Sequence, residues 1–559
     1  MFRWRQRSAV LVALIIAFGT AACGSQTQSQ SSQPSGSAPQ ASEQPEPSDD
    51  GEPIDPTLTT LTIGVAQEPQ TFDPNVNVAA VSAYRYYGNI YEGLVRYAPD
   101  GTIEPLLAAD WEISDDGLRY EFTLRDDAMF SDGTPFNAEA VAFAIERLRT
   151  IGVGAVAFFA PITEVNILDE FSVEFVLEQP YAPLLSILAG WQGAIFVSPT
   201  AVEENAEGDD LGQAWLNYHT AGTGPFVLES WEPNVRIVLT RNEHFREPAD
   251  PAAIQTMVYA YIGEPATLRQ QIAAGDIDIA EELTPAILEP VSQADGVTTS
   301  VDVSYAGFGT HVYFNLTKEP FDNPNLRRAI AHALDYDRLA SVWGGTAVPA
   351  HGFLPQDYSP WFSADDAVQY HQDLDAAAEE LEAGGYDSPI DPPLQFQIIW
   401  QAGQTAQRDM AQLMAEDLAQ IGIQLTIEER EIVAWREAIW TKNFDLAFFG
   451  LPLRYGDPDS IASLSFISTE VRDRGFNPGI IDERIDELTL AGRQASDPEE
   501  RQEIYNEMQQ IITEEAYFLP LVERKHAWAA RDNVSGITWN SYYGQVWRGA
   551  DIRKTEADS

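Results

Sequence analysis

The chain has 559 residues, of which 86 are acidic and 33 basic, giving a net charge of -53, and it contains one cysteine. That charge disfavours nucleic acid and anionic membrane surfaces as partners, because both would repel it. One cysteine excludes a disulfide framework, so a chain this long must rest on a large apolar core spread over several domains.

At the start, Arg3-Trp4-Arg5-Gln6-Arg7 is basic, Ala9 to Phe18 is apolar, and Thr20-Ala21-Ala22-Cys23-Gly24-Ser25 is small. These are the parts of a secretory signal, with an apolar run too short for a membrane span. Cys23 stands where small residues give way to Gly24, which resembles a bacterial lipobox, although Thr20 sits where Leu is usual. The resemblance implies that residues 1–23 are a lipoprotein signal peptide and Cys23 the lipidation site. An ordinary signal peptide with an incidental cysteine is the alternative. Either way the rest works outside the cytoplasm, in the periplasm or on the outer face of the cell membrane. Residues 24–57 are mainly Ser, Gln, Pro, Glu, Asp and Gly. Such a segment cannot offset its ordering entropy, which predicts a disordered tether.

Folded structure is expected from Leu58 to Val65, which alternates like a strand. Residues 110–124 read as a hairpin: Trp111 and Ile113 alternate on one arm, Asp116-Gly117 makes the turn, and Tyr120, Phe122 and Leu124 alternate on the other. Asn137 caps a helix to about Arg149. Asn323 caps another, with Pro324 in its first turn and Leu326, Ile330, Ala333 and Leu334 as its apolar stripe. Met410, Leu413, Met414, Leu418 and Ile421 form a further stripe that Gly422 closes. Ile423, Leu425 and Ile427 then alternate as a strand. Such mixing implies helices covering sheets, an α/β or α+β class.

The acids are spread along the chain and form no D-x-D-x-D-G loop, and four residues are lysine: Lys318, Lys442, Lys525 and Lys554. Life in concentrated salt, where screening makes self-repulsion cheap, fits this pattern; a cation-binding surface is the rival.

Several blocks, in order, carry a family resemblance. They are Tyr91-Glu92-Gly93-Leu94-Val95, Pro105 to Trp111, Ser114 to Arg125 and Phe130-Ser131-Asp132-Gly133-Thr134-Pro135. Gly222-Thr223-Gly224-Pro225-Phe226 and Gly275-Asp276-Ile277-Asp278-Ile279 follow. A helix 324–339 comes after Phe314-Asn315-Leu316, and Phe444-Asp445-Leu446, Gly456-Asp457-Pro458-Asp459 and Tyr505 to Pro520 complete the set. Together they resemble the extracellular solute-binding proteins, family 5, of peptide/nickel-type ABC transporters. The resemblance implies an α/β, two-lobed periplasmic-binding-protein-like fold of class II or cluster C type, with an extra small α+β domain in the first lobe. Lobe I would comprise 58–308 and 522–550, with the extra domain at 93–221, and lobe II 309–521. It further implies a protein that closes on a small-molecule or peptide ligand and hands it to an ABC permease driven by ATPase subunits; a monomer is expected, with no cofactor and no metal assigned.

In peptide-binding relatives an Asp three residues before the D-P pair holds the amino group; here that position is Arg454, beside Tyr455. An arginine repels an ammonium and welcomes a carboxylate or phosphate. Its alternative role is an ion pair with Asp457 or Asp459. Where some dipeptide binders carry an Arg for the peptide carboxylate, this chain has Gln401, with Trp400 and Gln404 nearby. A neutral amide cannot pair a charge. Both departures point away from a free dipeptide and toward an anionic conjugate, an opine-like compound or a modified sugar. Across the cleft, Asn77, Ala79 and Ser82 match a segment whose backbone and hydroxyls touch peptide ligands in relatives; an ordinary loop is the alternative. Trp435 and Trp191 are candidates for the pocket floor, core packing being the other assignment.

The seven histidines are scattered without H-E-x-x-H spacing, and no phosphate loop, dinucleotide motif or G-x-S-x-G elbow occurs. An importer receptor is therefore the leading expectation. A secreted hydrolase of sugar or peptide, or a nickel-binding receptor of the same family, is the alternative.

Overall fold

The computed structural model describes residues 55–559 apart from 77–80, 249, 251, 303–308, 357, 359–360, 362–366, 452, 469–476, 545–546 and 557–559; for 81–83 it describes the backbone alone. The signal peptide, Cys23, the tether as far as residue 54, and Asn77 and Ala79 lie outside the described residues, as does the side chain of Ser82.

The local signals produce the elements they predict. Thr60–Val65 is a strand with Leu61 and Ile63 fully buried. Asn137 accepts from the Ala140 amide at the start of helix Ala138–Ile151, and Gly152 ends it at φ 70°. Such a cap is worth about 1 kcal/mol. Asn323 caps helix Pro324–Ala333, whose Leu326, Ile330 and Ala333 are fully buried. The expected helix 324–339 is in fact two. Leu334 turns to an extended conformation, and the Asp335 carboxylate caps a second helix, Tyr336–Ser341, by accepting from the Arg338 amide. One alternation also fails to bury its face: Ile113 is exposed, because Ala108–Ile113 lies at the edge of its sheet.

Three sheets organise the chain. The first has seven strands in the order Val297–Asp302, His526–Arg531, Ile279–Ala280, Thr60–Val65, Thr256–Tyr261, Arg236–Arg241 and Phe226–Glu232. The second has six, in the order Ala347–Pro349, Phe518–Arg524, Gly309–Phe314, Leu446–Phe449, Leu394–Gln401 and Ile423–Arg430. The pairings of Thr60–Val65 with Thr256–Tyr261 inside the first sheet, and of Leu394–Gln401 with the edge strand Ile423–Arg430 in the second, are parallel. Parallel strands need both faces covered, and helices supply the cover. The third sheet is antiparallel, in the order Ala108–Ile113, Arg119–Leu124, Ser172–Leu177 and Ile162–Asp169. Helix Ala138–Ile151 packs on it, burying Val141, Ile145 and Leu148 completely. Each such side chain contributes about 1.5–3 kcal/mol.

The chain passes from the first sheet to the second between Asp302 and Gly309, and returns between Arg524 and His526. In the first body, the part of the chain built on the first sheet as the second body is built on the second, Gly222-Thr223-Gly224 lies against the backbone of residues 89–91. A Cβ on Gly222 would stand 2.1 Å from the Ile90 carbonyl oxygen, and one on Gly224 2.7 Å from it. No residue with a side chain fits that approach.

Candidate functional site

The two bodies meet at the loop that carries Leu453 to Ser460. Two buried carboxylates hold its shape. Both oxygens of Asp457 take the Arg501 guanidinium, at 2.8 Å each, and Oδ1 also accepts from the Asp459 amide at 3.0 Å. Arg501 lies over the rings of Trp361 and Tyr505, at 5.0 and 5.6 Å. Burial opposes its charge, but Asp457 more than compensates and keeps it protonated. Asp459 accepts from Arg493 Nε at 2.7 Å and from the Tyr455 hydroxyl at 2.8 Å. Burial raises its carboxyl above the ordinary value against the pull of Arg493.

The loop thus fixed is pressed against the first body. A Cβ on Gly456 would lie 2.6 Å from the ring of Tyr542 and 2.7 Å from that of Tyr97, so only a glycine brings the backbone this close. Tyr97 and Tyr542 stack at 4.5 Å and 17°. Tyr455 packs edge-on to Phe158 at 5.7 Å and belongs to the apolar cluster built on the third sheet. The Ala182 amide donates to the Arg493 carbonyl at 2.8 Å.

The residues singled out from the sequence fall in different places. Arg454 is half-buried in this loop; its amide donates to Ser460 Oγ at 2.6 Å. The two acids considered as its ion-pair partners are engaged by Arg501 and Arg493. Trp400 and Trp435 lie on opposite faces of the second sheet. Trp400 packs with Ile398, Met410 and Met414, whereas Trp435 packs with Ile399 and Phe449. Gln401 is half-buried at the end of its strand, and Gln404 is exposed before helix Thr405–Ala419. Trp191 packs against the core of the first body.

On the Trp435 face the aromatic rings form a continuous wall. Trp435 stacks on Phe449 at 5.8 Å and 13°, and Phe449 on Tyr313 at 4.9 Å and 20°. Trp435 Nε1 is buried and has no hydrogen-bond partner among the described residues. His311, on the same strand as Tyr313, also lacks a partner at Nδ1, and burial pushes its imidazole down to about 3. It is a neutral group at any physiological pH.

Sequence reasoning missed Gln192. It is 2% exposed, and neither its Oε1 nor its Nε2 has a partner among the described residues. A Cβ on Gly190 would meet Gln192 Oε1 and the Ser186 carbonyl oxygen, each at 3.2 Å. The same carbonyl accepts from the Tyr97 hydroxyl at 3.1 Å, so Gln192 lies close behind the junction. Leaving a buried amide unsatisfied costs about 1–3 kcal/mol, which a ligand that bonds to it would recover. No motif marks this residue; its placement between Gly190 and Gly193 in a tight loop is the one local sign.

These groups can bind and orient a solute through hydrogen bonds, ring faces and Arg454. Among the described residues no cluster of three or more His, Cys, Asp and Glu side chains is placed to hold a metal. Also among the described residues, no helix is long and apolar enough to cross a membrane.

Comparison with known proteins agrees with this architecture. The family model for bacterial extracellular solute-binding proteins, family 5 Middle, matches residues 102–473. The chain is similar to the probable D,D-dipeptide-binding periplasmic protein DdpA of Escherichia coli K12, with 30% identity covering 87% of this chain and 93% of the relative. It is similar to the glutathione-binding protein GsiB of Salmonella typhi, with 27% identity over 83% and 89% of the two chains. Its fold matches the ABC transporter-associated periplasmic binding protein DppA of Helicobacter pylori, solved with the peptide STSA. The TM-score is 0.73 at 24% identity, covering 89% of this chain and 98% of that one. The architecture is the α/β, two-lobed fold of periplasmic binding proteins, with an added small domain.

Proposed function

Because the chain belongs to the bacterial extracellular solute-binding proteins of family 5, we propose that it is the extracytoplasmic receptor of an ABC importer. It captures a peptide, a peptide-like compound or an anionic conjugate between two jaws and delivers it intact to a permease served by ATPase subunits. The jaws are the bodies built on the two large sheets, with residues 93–221 as an added domain on the first. The observation that carries this reading is the Gly456 backbone seated on Tyr97 and Tyr542 across the junction. A glycine-only contact between bodies joined by two strand crossings suits a hinge that opens and closes. A ligand closes it to the extent that it binds the closed form more tightly than the open one.

Within the site, Arg454 takes a carboxylate or phosphate of the solute. The Trp435 N–H and the Gln192 amide take its uncharged polar groups, and the Trp435–Phe449–Tyr313 wall takes its apolar face. The names of the relatives support a peptide-like solute. We further propose that Cys23 carries a lipid that tethers a monomer to the membrane, and that the acidic surface suits concentrated salt.

Thermal unfolding of the full chain with D-alanyl-D-alanine, L-dipeptides, glutathione, opines and nickel tests the assignment. The true solute at a hundredfold excess over its dissociation constant stabilises by about 2.7 kcal/mol. Recovery of a solute cleaved by the protein would establish the hydrolase instead, and the absence of any shift across the panel would remove the peptide-like class. Mass spectrometry of membrane-extracted protein should find the diacylglycerol adduct at Cys23; an unmodified thiol there refutes the anchor.

A further inference from the structure

We propose that the first body contains a second binding site, separate from the junction, for a neutral, flat, ring-sized molecule. The site is a pocket of about 180 Å³, lined by residues from 84–106, 189–190, 225, 536–543 and 547–552. None of these belongs to the second large sheet or its helices. The volume compares with the ~150 Å³ cavity that admits benzene in an engineered protein interior.

The walls define the shape of the occupant. Tyr84 and Tyr543 stack at 5.4 Å and 28°, and Tyr91, Tyr97 and Trp547 add further rings; all are buried except Tyr543, which is half-buried. Flat walls suit a flat guest, since ring faces gain most by offset stacking or edge contact. The Tyr543 hydroxyl is already committed, donating to the Ala189 carbonyl at 2.7 Å and accepting from the Tyr97 amide at 2.9 Å. That bonding fixes the position of the ring against which a guest would lie.

Charge sets the chemistry. Every ionised side chain that lines the pocket has a counter-charge. Glu92 holds Arg246 at 2.7 and 2.8 Å, Arg96 pairs with Glu104 at 3.2 Å, and Arg548 pairs with Asp551 at 3.4 Å. A charged guest would have to break one of these pairs or be buried unpaired, whereas a neutral guest disturbs none. The last two pairs are partly exposed, so the mouth opens beside them.

The site has a structural relation to the junction. The ring of Tyr97 faces Gly456 of the second body, while the Tyr97 amide is held by the Tyr543 hydroxyl within the pocket. One hairpin, Val95–Tyr97 with Ile103–Pro105, therefore separates the two spaces.

The test uses phenolic probes with the full chain at pH 7, where 4-methylphenol is neutral. Calorimetry should give saturable binding of one 4-methylphenol with a dissociation constant of about 1 mM or tighter. Crystals soaked in 4-bromophenol should show the bromine anomalous signal among Tyr84, Tyr543 and Trp547. Ala98→Phe fills the pocket, and Thr538→Trp, at its exposed mouth, blocks entry; each should weaken 4-methylphenol at least tenfold. 4-Hydroxybenzoate, of similar shape but anionic, should bind at least tenfold more weakly than 4-methylphenol. No saturable binding, bromine located elsewhere, or affinity unchanged in the folded variants overturns the site. Equal affinity for 4-hydroxybenzoate overturns the assignment of a neutral guest. Should Ala98→Phe fail to fold, Thr538→Trp and the bromine position still decide.

Discussion

Two regions of this molecule treat buried polar groups in opposite ways. In the loop from Leu453 to Ser460, all four carboxylate oxygens of Asp457 and Asp459 have partners, supplied by Arg501, Arg493, Tyr455 and the backbone. Around Gln192, Trp435 and His311, buried nitrogens and oxygens have none among the described residues. The first pattern belongs to a scaffold, in which an unpaired charge would be costly. The second fits the proposed binding surface, which a solute would complete, because natural interiors seldom leave such groups unpaired. Glu281 stands between these cases. It is fully buried and takes Arg85 Nη1 at 2.6 Å through one oxygen, without the double fork of Asp457. Burial pushes its carboxyl up to about 7, even with Arg85 beside it.

The largest effect should come from breaking the saturated region. Asp457→Ala leaves Arg501 charged and buried, and should cost about 3–5 kcal/mol in chemical denaturation. A loss under 1 kcal/mol would mean that the loop is not the scaffold described. Next is the intermediate case. With its folded pKa raised from about 4.5 to about 7, Glu281 binds more protons in the folded state than in the unfolded one. Its contribution is full at low pH and disappears as pH rises from 4.5 through 7, to a total of about 3 kcal/mol. Comparing wild type with Glu281→Gln in denaturant melts at pH 4.5 and 8 checks the sign; identical pH profiles would contradict it. At the proposed binding surface, Arg454→Ala should weaken an acidic solute at least tenfold, about 1.4 kcal/mol, by calorimetry. The smallest effect expected is for Gln192→Leu, a few-fold loss of solute affinity with equal or higher melting temperature in the absence of solute. Unchanged affinity would assign Gln192 to packing alone.

Much of the fold was legible because its signals are local. Asn137, the pair Asn323-Pro324, the turn Asp116-Gly117 and Gly422 each act through bonds or backbone angles within a few residues. The break at Leu334 was equally local but was hidden by an apolar stripe that continues through it, and Asp335 was the sign to weigh. The candidate site was less legible. Period-two alternation puts Trp400 and Ile399 on opposite faces, but nothing in the strand itself says which face turns to the junction. Tyr455 follows Arg454 directly, yet its ring is buried in the apolar cluster of the third sheet.

The sequence by itself determined the strongly acidic character of the chain, its strands and capped helices, and its family, since composition, short-range geometry and ordered motifs are all written in one dimension. Tertiary structure alone decided which charges pair. Asp457 meets Arg501 across 44 residues and Asp459 meets Arg493 across 34. It also decided which buried amide remains unsatisfied and where Gly456 touches two tyrosines. These depend on distances between segments far apart in the chain, which packing fixes and local propensity does not.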